Sequence, residues 1–377
     1  MTAYLGKTKW VRLGDYIEVF DKRNTEGKPY PFYGINKDKT FMPTVADTNE
    51  LDNTKYKVVE KGVFVFSGMQ TGRDVCIRIA VYDKENPILV SPAYTTFKVK
   101  NPKEIIPDYL FLYFNRSESD RYGWFLSDGS IRSNLDWDRF CDIKIPLPSP
   151  EVQQELVDTY NGIKAIAEQN EALYQRLSTA CHAYIVNCRA KYDAVPIGEY
   201  IEVDEEQNIK NEDLPFMGIN IQKEFMPTNA NTEGLRKEKY LIIRKGQFVF
   251  SGMQTGRDVA IRVGLYASEH PSLISPAYVI FSIKPDKNDI ILSEFLNIQF
   301  RRSESDRLGW FYSDGSIRSN LEWNRFCEFP IPLPPIEVQK AIVDIYNCAD
   351  CAKKIAAEAR ERLKTLCPAL VQRAVNF

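Results

Sequence analysis

Apolar and polar positions along this chain change rhythm several times. Short runs rich in β-branched and aromatic residues come first, among them Tyr56-Lys-Val-Val59, Val63-Phe-Val-Phe66 and Val75 to Tyr82, separated by Gly, Asn and Asp. That is the pattern of strands bounded by turns. Pro107 to Phe114 carries proline at its start, where a helix tolerates it, and reads as a short helix. Ile145-Pro-Leu-Pro-Ser-Pro150 reads as a stiff, extended connector. From Glu151 to about Lys191 no proline intervenes, and Ile163, Ile166, Asn170, Leu173, Leu177, Ala180 and Tyr184 recur by threes and fours. This predicts a coiled-coil seam with one polar position, Asn170, of the kind that fixes register.

The same succession then recurs. A second mixed segment ends in the connector Ile331-Pro-Leu-Pro-Pro335, and a second long helix follows with a seam of Ala349, Ala352, Ala356, Ala359, Leu363, Leu366 and Leu370. The repetition extends to identity. Phe64-Val-Phe-Ser-Gly-Met-Gln-Thr-Gly-Arg-Asp-Val75 returns unchanged as Phe248 to Val259, 184 positions later, and Ser127 to Leu135 returns as Ser313 to Leu321, 186 positions later. Solenoid units run only about 20–50 residues, so this is a duplicated domain. The expected organisation is a domain at 1–150, a long helix at 151–191, a second domain at 192–336 and a second long helix at 337–377. A helix of about 40 residues spans on the order of 60 Å and cannot bury its stripe alone. The expected fold class is therefore α+β, with two mixed domains separated and joined by two long helices. Antiparallel helix pairing would make it pseudo-twofold symmetric; the alternative is that each helix packs on its own domain.

Bulk properties narrow the class. The chain has 377 residues, 44% of them apolar and 12% aromatic, room for two ordinary cores. It has no apolar run long enough for a bilayer, and no secretory start is evident. Eight cysteines without a closely spaced framework fit a reducing compartment, so a cytoplasmic location is expected, away from membranes. A net charge of −2 speaks against simple electrostatic DNA binding, unless positive charge gathers on one face or a partner supplies phosphate contacts.

Catalytic signatures do not appear. There is no Gly-x-Gly-x-x-Gly turn, no phosphate loop ending Gly-Lys-Ser/Thr and no His-Glu-x-x-His. The two histidines, His182 and His270, occupy unrelated positions in the two copies, which excludes a duplicated histidine-based site. Cys348-Ala-Asp-Cys351 has redox or zinc spacing but lies within the second helix and has no equivalent in the first copy. No metal ligand is expected.

Both copies keep side chains suited to base edges. Gln70, Arg73 and Arg78 lie on or just after the Ser67–Asp74 turn, and Arg132 and Asn134 lie in the second motif. Their counterparts are Gln254, Arg257, Arg262, Arg318 and Asn320. Arginine reads guanine, and Asn or Gln reads adenine, through paired hydrogen bonds; Arg116, Arg121 and Arg139 are candidates for phosphate. The other reading of the turn is an Arg–Asp pair internal to the fold, and of the second motif an ordinary turn network. Trp124, Trp137, Trp310 and Trp323 are expected in the core.

The residues at the junctions, Ile145-Pro-Leu-Pro-Ser-Pro-Glu-Val-Gln153 and Ile331-Pro-Leu-Pro-Pro-Ile-Glu-Val-Gln339, resemble those of specificity subunits of type I restriction–modification systems, as does the opening Trp10-Val-Arg-Leu-Gly-Asp15. The resemblance covers essentially the whole chain. It implies a noncatalytic subunit whose two target-recognition domains each read half of a bipartite site in double-stranded DNA. The helices would act as spacer and dock two methyltransferase (M) subunits, with two motor-nuclease (R) subunits joining for cleavage. S-adenosylmethionine, ATP and Mg would belong to those partners, none to this chain. Family members usually carry dissimilar domains; near-twin domains here predict an inverted-repeat target. A cytoplasmic protein–protein scaffold with duplicated binding domains is the alternative, set apart by failing to shift duplex DNA sequence-selectively.

Overall fold

A computed structural model describes residues 8–45, 47–48, 51–69, 71–130, 133–228, 234–316 and 319–375. The chain forms two compact units: Met1–Asn170 together with Ile355–Phe377, and Glu171–Lys354. Each contains one copy of the duplicated domain and a part of each long helix.

In the first unit a four-stranded antiparallel sheet runs in the order Ile17–Val19, Thr95–Val99, Phe64–Ser67, Arg78–Val81. The Phe64–Ser67 strand is buried throughout, which is why it reads as an unbroken apolar run. Strand alternation sends its side chains to opposite faces. Phe64 and Phe66 enter a core with Phe97, Phe114, Phe140, Tyr109 and Leu135, whereas Val65 faces a smaller cluster with Ile35, Val59, Tyr82 and Val90. Phe64 lies 4.8 Å from Phe97 and Phe66 lies 4.2 Å from Phe140, centroid to centroid; each fully buried ring contributes about 1.5–3 kcal/mol. The Pro107–Phe114 helix forms as expected and packs on this core, with the Tyr109 hydroxyl donating to the Pro146 carbonyl at 2.7 Å. The second unit repeats this scheme, with Phe248 stacked on Phe281 and Phe250 on Phe326.

Two local expectations are corrected. The proline-bearing connector is a strand: Lys144–Leu147 pairs antiparallel with Lys9–Arg12, Trp10 opposite Pro146. The two-stranded pairing lets proline sit where its missing N–H does no harm. Val75 to Ile77 lie outside the strand expected there. Thr71–Asp74 is a single helical turn, Val75 follows at φ +50°, and the strand begins only at Arg78.

Long helices span Pro150–Lys191 and Ile336–Val375. In the first unit Val152, Leu156 and Val157 share the core with Cys367, Leu370, Val371 and Ala374, and Arg373 pairs with Glu155 at 2.7 Å. In the second unit Cys181, Ile185 and Cys188 pack with Ile342 and Val343. Lys353 stands over the Tyr174 ring and Cys181 lies against the Ile342 carbonyl, so numbers rise on one helix as they fall on the other. Within each unit the helices are antiparallel and also pack on the domain, which joins the two alternatives the seam allowed.

The seam on the second helix is as expected: Ala349, Ala352, Ala356, Ala359, Leu363 and Leu370 are buried. On the first helix it is not. Ile166, Leu173 and Tyr184 are 46%, 45% and 54% exposed, while the neighbouring Ala167, Cys181, Ile185 and Cys188 are buried. Asn170 donates to the Ile166 carbonyl of its own helix at 2.8 Å instead of marking register across the pair. Small side chains on both helices allow close approach, and the bulky stripe is left on the surface.

Each junction glutamine has a defined task. Gln153 is fully buried; its Oε1 accepts from Ile106 N at 2.8 Å and its Nε2 donates to Glu104 O and Pro148 O. Gln339 does the same with Leu292, Ile290 and Pro334. A helix start is thereby fastened to its domain through three backbone groups, with both amide hydrogens donated and the amide oxygen accepting.

Candidate nucleic-acid interface

The Phe64–Ser67 strand ends at Gly68, and the chain turns through Thr71–Asp74, with the Thr71 hydroxyl donating to the Gly68 carbonyl at 2.9 Å. The second motif forms a loop closed by Asp128, whose carboxylate accepts from the Ser130 hydroxyl at 2.6 Å, Ser130 N at 3.1 Å and Asn134 N at 3.0 Å. Those bonds, the hydroxyl first, hold the Asp128 carboxyl below the usual carboxylate range.

Some sixty residues apart in sequence, the two motifs meet in space. Leu135 N donates to Gly68 O at 2.8 Å and Gly72 N to Ser133 O at 3.3 Å. A Cβ at Gly68 would collide with the Leu135 carbonyl, and one at Gly72 with the Ser133 side chain, so both glycines are required by close approach. The second copy is built alike, through Leu321 N to Gly252 O at 2.8 Å and Gly256 N to Ser319 O at 3.0 Å. There Gln254 N donates to Asn320 Oδ1 at 3.1 Å. Positive φ at Val75, Ser133, Gln254, Val259 and Ser319 places strained backbone in these paired turns. For a β-branched valine it is an outlier of the kind that gathers at functional sites.

Charge is organised around one carboxylate. Asp74 is 2% exposed; Arg73 Nε reaches it at 3.1 Å, Arg78 grips the other oxygen, and Lys37 approaches at 3.4 Å. Burial raises the Asp74 pKa, but hydrogen bonds from Arg73 and Arg78 more than offset it and hold the carboxyl below the usual range. Asp258 is likewise lowered, first by Arg257, against burial, and by Arg262. An internal Arg–Asp pair and an exposed guanidinium therefore coexist in the same residue. Arg73 and Arg257 are 61% and 60% exposed while tethered through Nε, which holds the guanidinium fork in place before any ligand arrives. Arg78 and Arg262 are largely covered, at 22% and 19% exposure.

Of the other candidates, Gln70, Arg132 and Arg318 lie outside the described residues. Asn134 and Asn320 sit where the two loops join, and Asn320 spends its side-chain oxygen on the turn. Arg116 is stacked on Tyr113 and donates to its carbonyl; Arg139 donates to Leu126 O. Arg121 is 68% exposed.

One expectation about the tryptophans is overturned. Trp137 and Trp323 do pack against the cores, but Trp124 and Trp310 are 51% and 55% exposed and lie beside Gly72 and Gly256. The Ser117–Leu126 helix buries Ser119 and Gly123, the latter against Ile77. Small residues spaced by four mark its inner face, so the adjacent Trp124 and Phe125 turn outward. That spacing was the available signal. Met69 and Met253 add exposed apolar surface to the turns.

His182, His270, Cys348 and Cys351 are all exposed, and no group of three or more potential ligands able to hold a metal occurs among the described residues. Nor, among them, is any helix long and apolar enough to cross a membrane.

The family model of the type I restriction modification DNA specificity domain matches residues 7–177 and again 195–362. A Methanocaldococcus jannaschii protein that carries the name type I restriction enzyme MjaX specificity subunit is 20% identical over 391 residues, covering 93% of this chain and 89% of its own length. The crystal structure of a type I restriction–modification S subunit from M. genitalium is similar in fold, with a TM-score of 0.60 at 12% identity, over 99% of this chain and 97% of that one. With two copies of the specificity domain covering most of its length, this chain belongs to the family of type I restriction–modification DNA specificity subunits.

Proposed function

We propose that the paired turns of each domain read one half of a bipartite duplex target, and that the two half-sites are the same sequence in inverted orientation. The observation that carries this is the tethered, exposed arginine of each copy, Arg73 and Arg257, on loops identical in sequence and built by the same hydrogen bonds. Twofold protein symmetry predicts palindromic operators, and identical readers facing in opposite senses at the two ends of a spacer would make the same demand. Arg73 and Arg257 are the guanine-reading candidates. Gln70 and Gln254, with Arg132 and Arg318, would complete the reading set, and Arg121 would lie on phosphate.

The chain itself performs no bond chemistry in this reading. The methyltransferase partners, two per chain, supply S-adenosylmethionine chemistry, and motor-nuclease subunits with ATP and Mg supply cleavage in the cytoplasm. The exposed Leu173 and Tyr184, on one face of the first long helix within the second unit, form the proposed methyltransferase docking face, because bulky apolar side chains left together on one helix face mark a contact surface. The test is selection of duplexes from a random library by the full chain with its methyltransferase. Wild type should recover one half-site repeated in inverted sense. Arg73→Ala with Arg257→Ala should keep the circular dichroism spectrum and lose selectivity. Unchanged selectivity in that variant would remove the two arginines from the reading set.

A further inference from the structure

We propose that the two reading turns, although identical in sequence, grip the DNA backbone unequally, because Lys37 engages a phosphate for which the second copy has no counterpart. The inference rests on the DNA-reading function proposed above. Each reading turn is flanked by a hairpin tip, Asn36-Lys-Asp-Lys-Thr40 in the first copy and Asn220-Ile-Gln-Lys-Glu224 in the second. The tip backbones match. Asn36 Oδ1 accepts from Thr40 N at 3.0 Å, and Asn220 Oδ1 from Glu224 N at 2.9 Å. Lys39 and Lys223 both take positive φ and bury their ammonium groups on Asp120 at 2.8 Å and Asp306 at 2.7 Å. Position 37 therefore corresponds in space to position 221 within each domain, and only the side chain differs.

That difference falls on the reading turn. The Lys37 ammonium lies 3.4 Å from Asp74 and its side chain is 62% exposed, whereas Ile221 is an exposed apolar residue. Asp74 is 2% exposed and Asp258 is 14% exposed. Among the described residues, Arg73, Arg78 and Lys37 stand on one carboxylate in the first copy, and Arg257 and Arg262 alone in the second. The excess of positive charge is thus two against one. The tips alone give the same result: Lys37, Asp38 and Lys39 leave one positive charge, and Lys223 with Glu224 leaves none. The Lys37 ammonium is the most distant of the three cations on Asp74 and its side chain is mostly exposed, so it can leave Asp74 for a phosphate while the arginines keep the carboxylate satisfied.

Each phosphate neutralised contributes about 0.9 to the slope of log affinity against log salt. The experiment measures fluorescence anisotropy of mixed-sequence duplex DNA with the full chain, across roughly 50–200 mM KCl. Lys37→Ile should shallow the slope by about 0.9, Ile221→Lys should steepen it by about 0.9, and the double exchange should restore the wild-type slope. Lys61→Ile, which removes a lysine paired with Glu85 just before the Phe64–Ser67 strand, should leave the slope unchanged. The proposal is overturned if Lys37→Ile lowers the melting temperature without changing the slope, since Lys37 would then only brace Asp74. It is also overturned if Lys37→Ile and Lys61→Ile act alike, since bulk charge would then suffice. Absence of any duplex binding by wild type would instead overturn the DNA-reading function itself.

Discussion

At the scale of single residues, the proposed reading of DNA rests on a buried carboxylate that tethers an exposed arginine. Asp74 and Asp258 have pKa values held below those of an unfolded chain. A carboxyl depressed on folding stabilises the native state above its unfolded pKa of about 3.9, and that contribution is lost as pH falls through the lower folded value. Asp74→Asn should therefore be less stable than wild type at pH 7, and the gap should close below about pH 4; denaturant midpoints across that range check it, and parallel curves would contradict it. Gly68→Ala and Gly252→Ala should each destabilise by about 1–3 kcal/mol, as forced overpacking does, read as a lower urea midpoint. The turn itself was legible as Gly, Thr and Asp between apolar strands. Which arginine would face outward was not, because that depends on Asp74 being covered by the meeting of two loops far apart in sequence. Trp124 was misplaced because a large apolar side chain suggests burial, whereas the inner face of its helix belongs to Ser119 and Gly123.

At the scale of elements, the glutamine of each junction fastens a long helix to its domain. Gln153→Ala strips partners from Ile106 N, Glu104 O and Pro148 O. Each buried backbone group left unpaired costs about 1–3 kcal/mol, so a loss of at least about 2 kcal/mol is expected for Gln153→Ala and for Gln339→Ala alike, measured by chemical denaturation. The helices themselves were legible from their length and period. The buried face of the first was not, since apolar residues occupy two adjacent stripes and the smaller one, Ala167, Cys181 and Cys188, is what lets its partner come close. Leu173→Glu with Tyr184→Glu should leave the circular dichroism spectrum and melting temperature close to wild type and abolish co-elution with the methyltransferase. Retained co-elution would move the docking face elsewhere.

At the scale of the whole molecule, the duplication carries the argument. Its two copies and the family they resemble were readable from repeated motifs and junctions. That each compact unit takes part of both long helices was not, because helix pairing depends on contacts made across some two hundred residues of chain. The central claim is that one half-site is read twice, in inverted sense. Methylation sequencing of the genome of cells that express this chain with its methyltransferase tests it most directly. The expected result is a single modified motif whose two halves are reverse complements across a fixed, nonspecific spacer; two unrelated half-sites would contradict the claim.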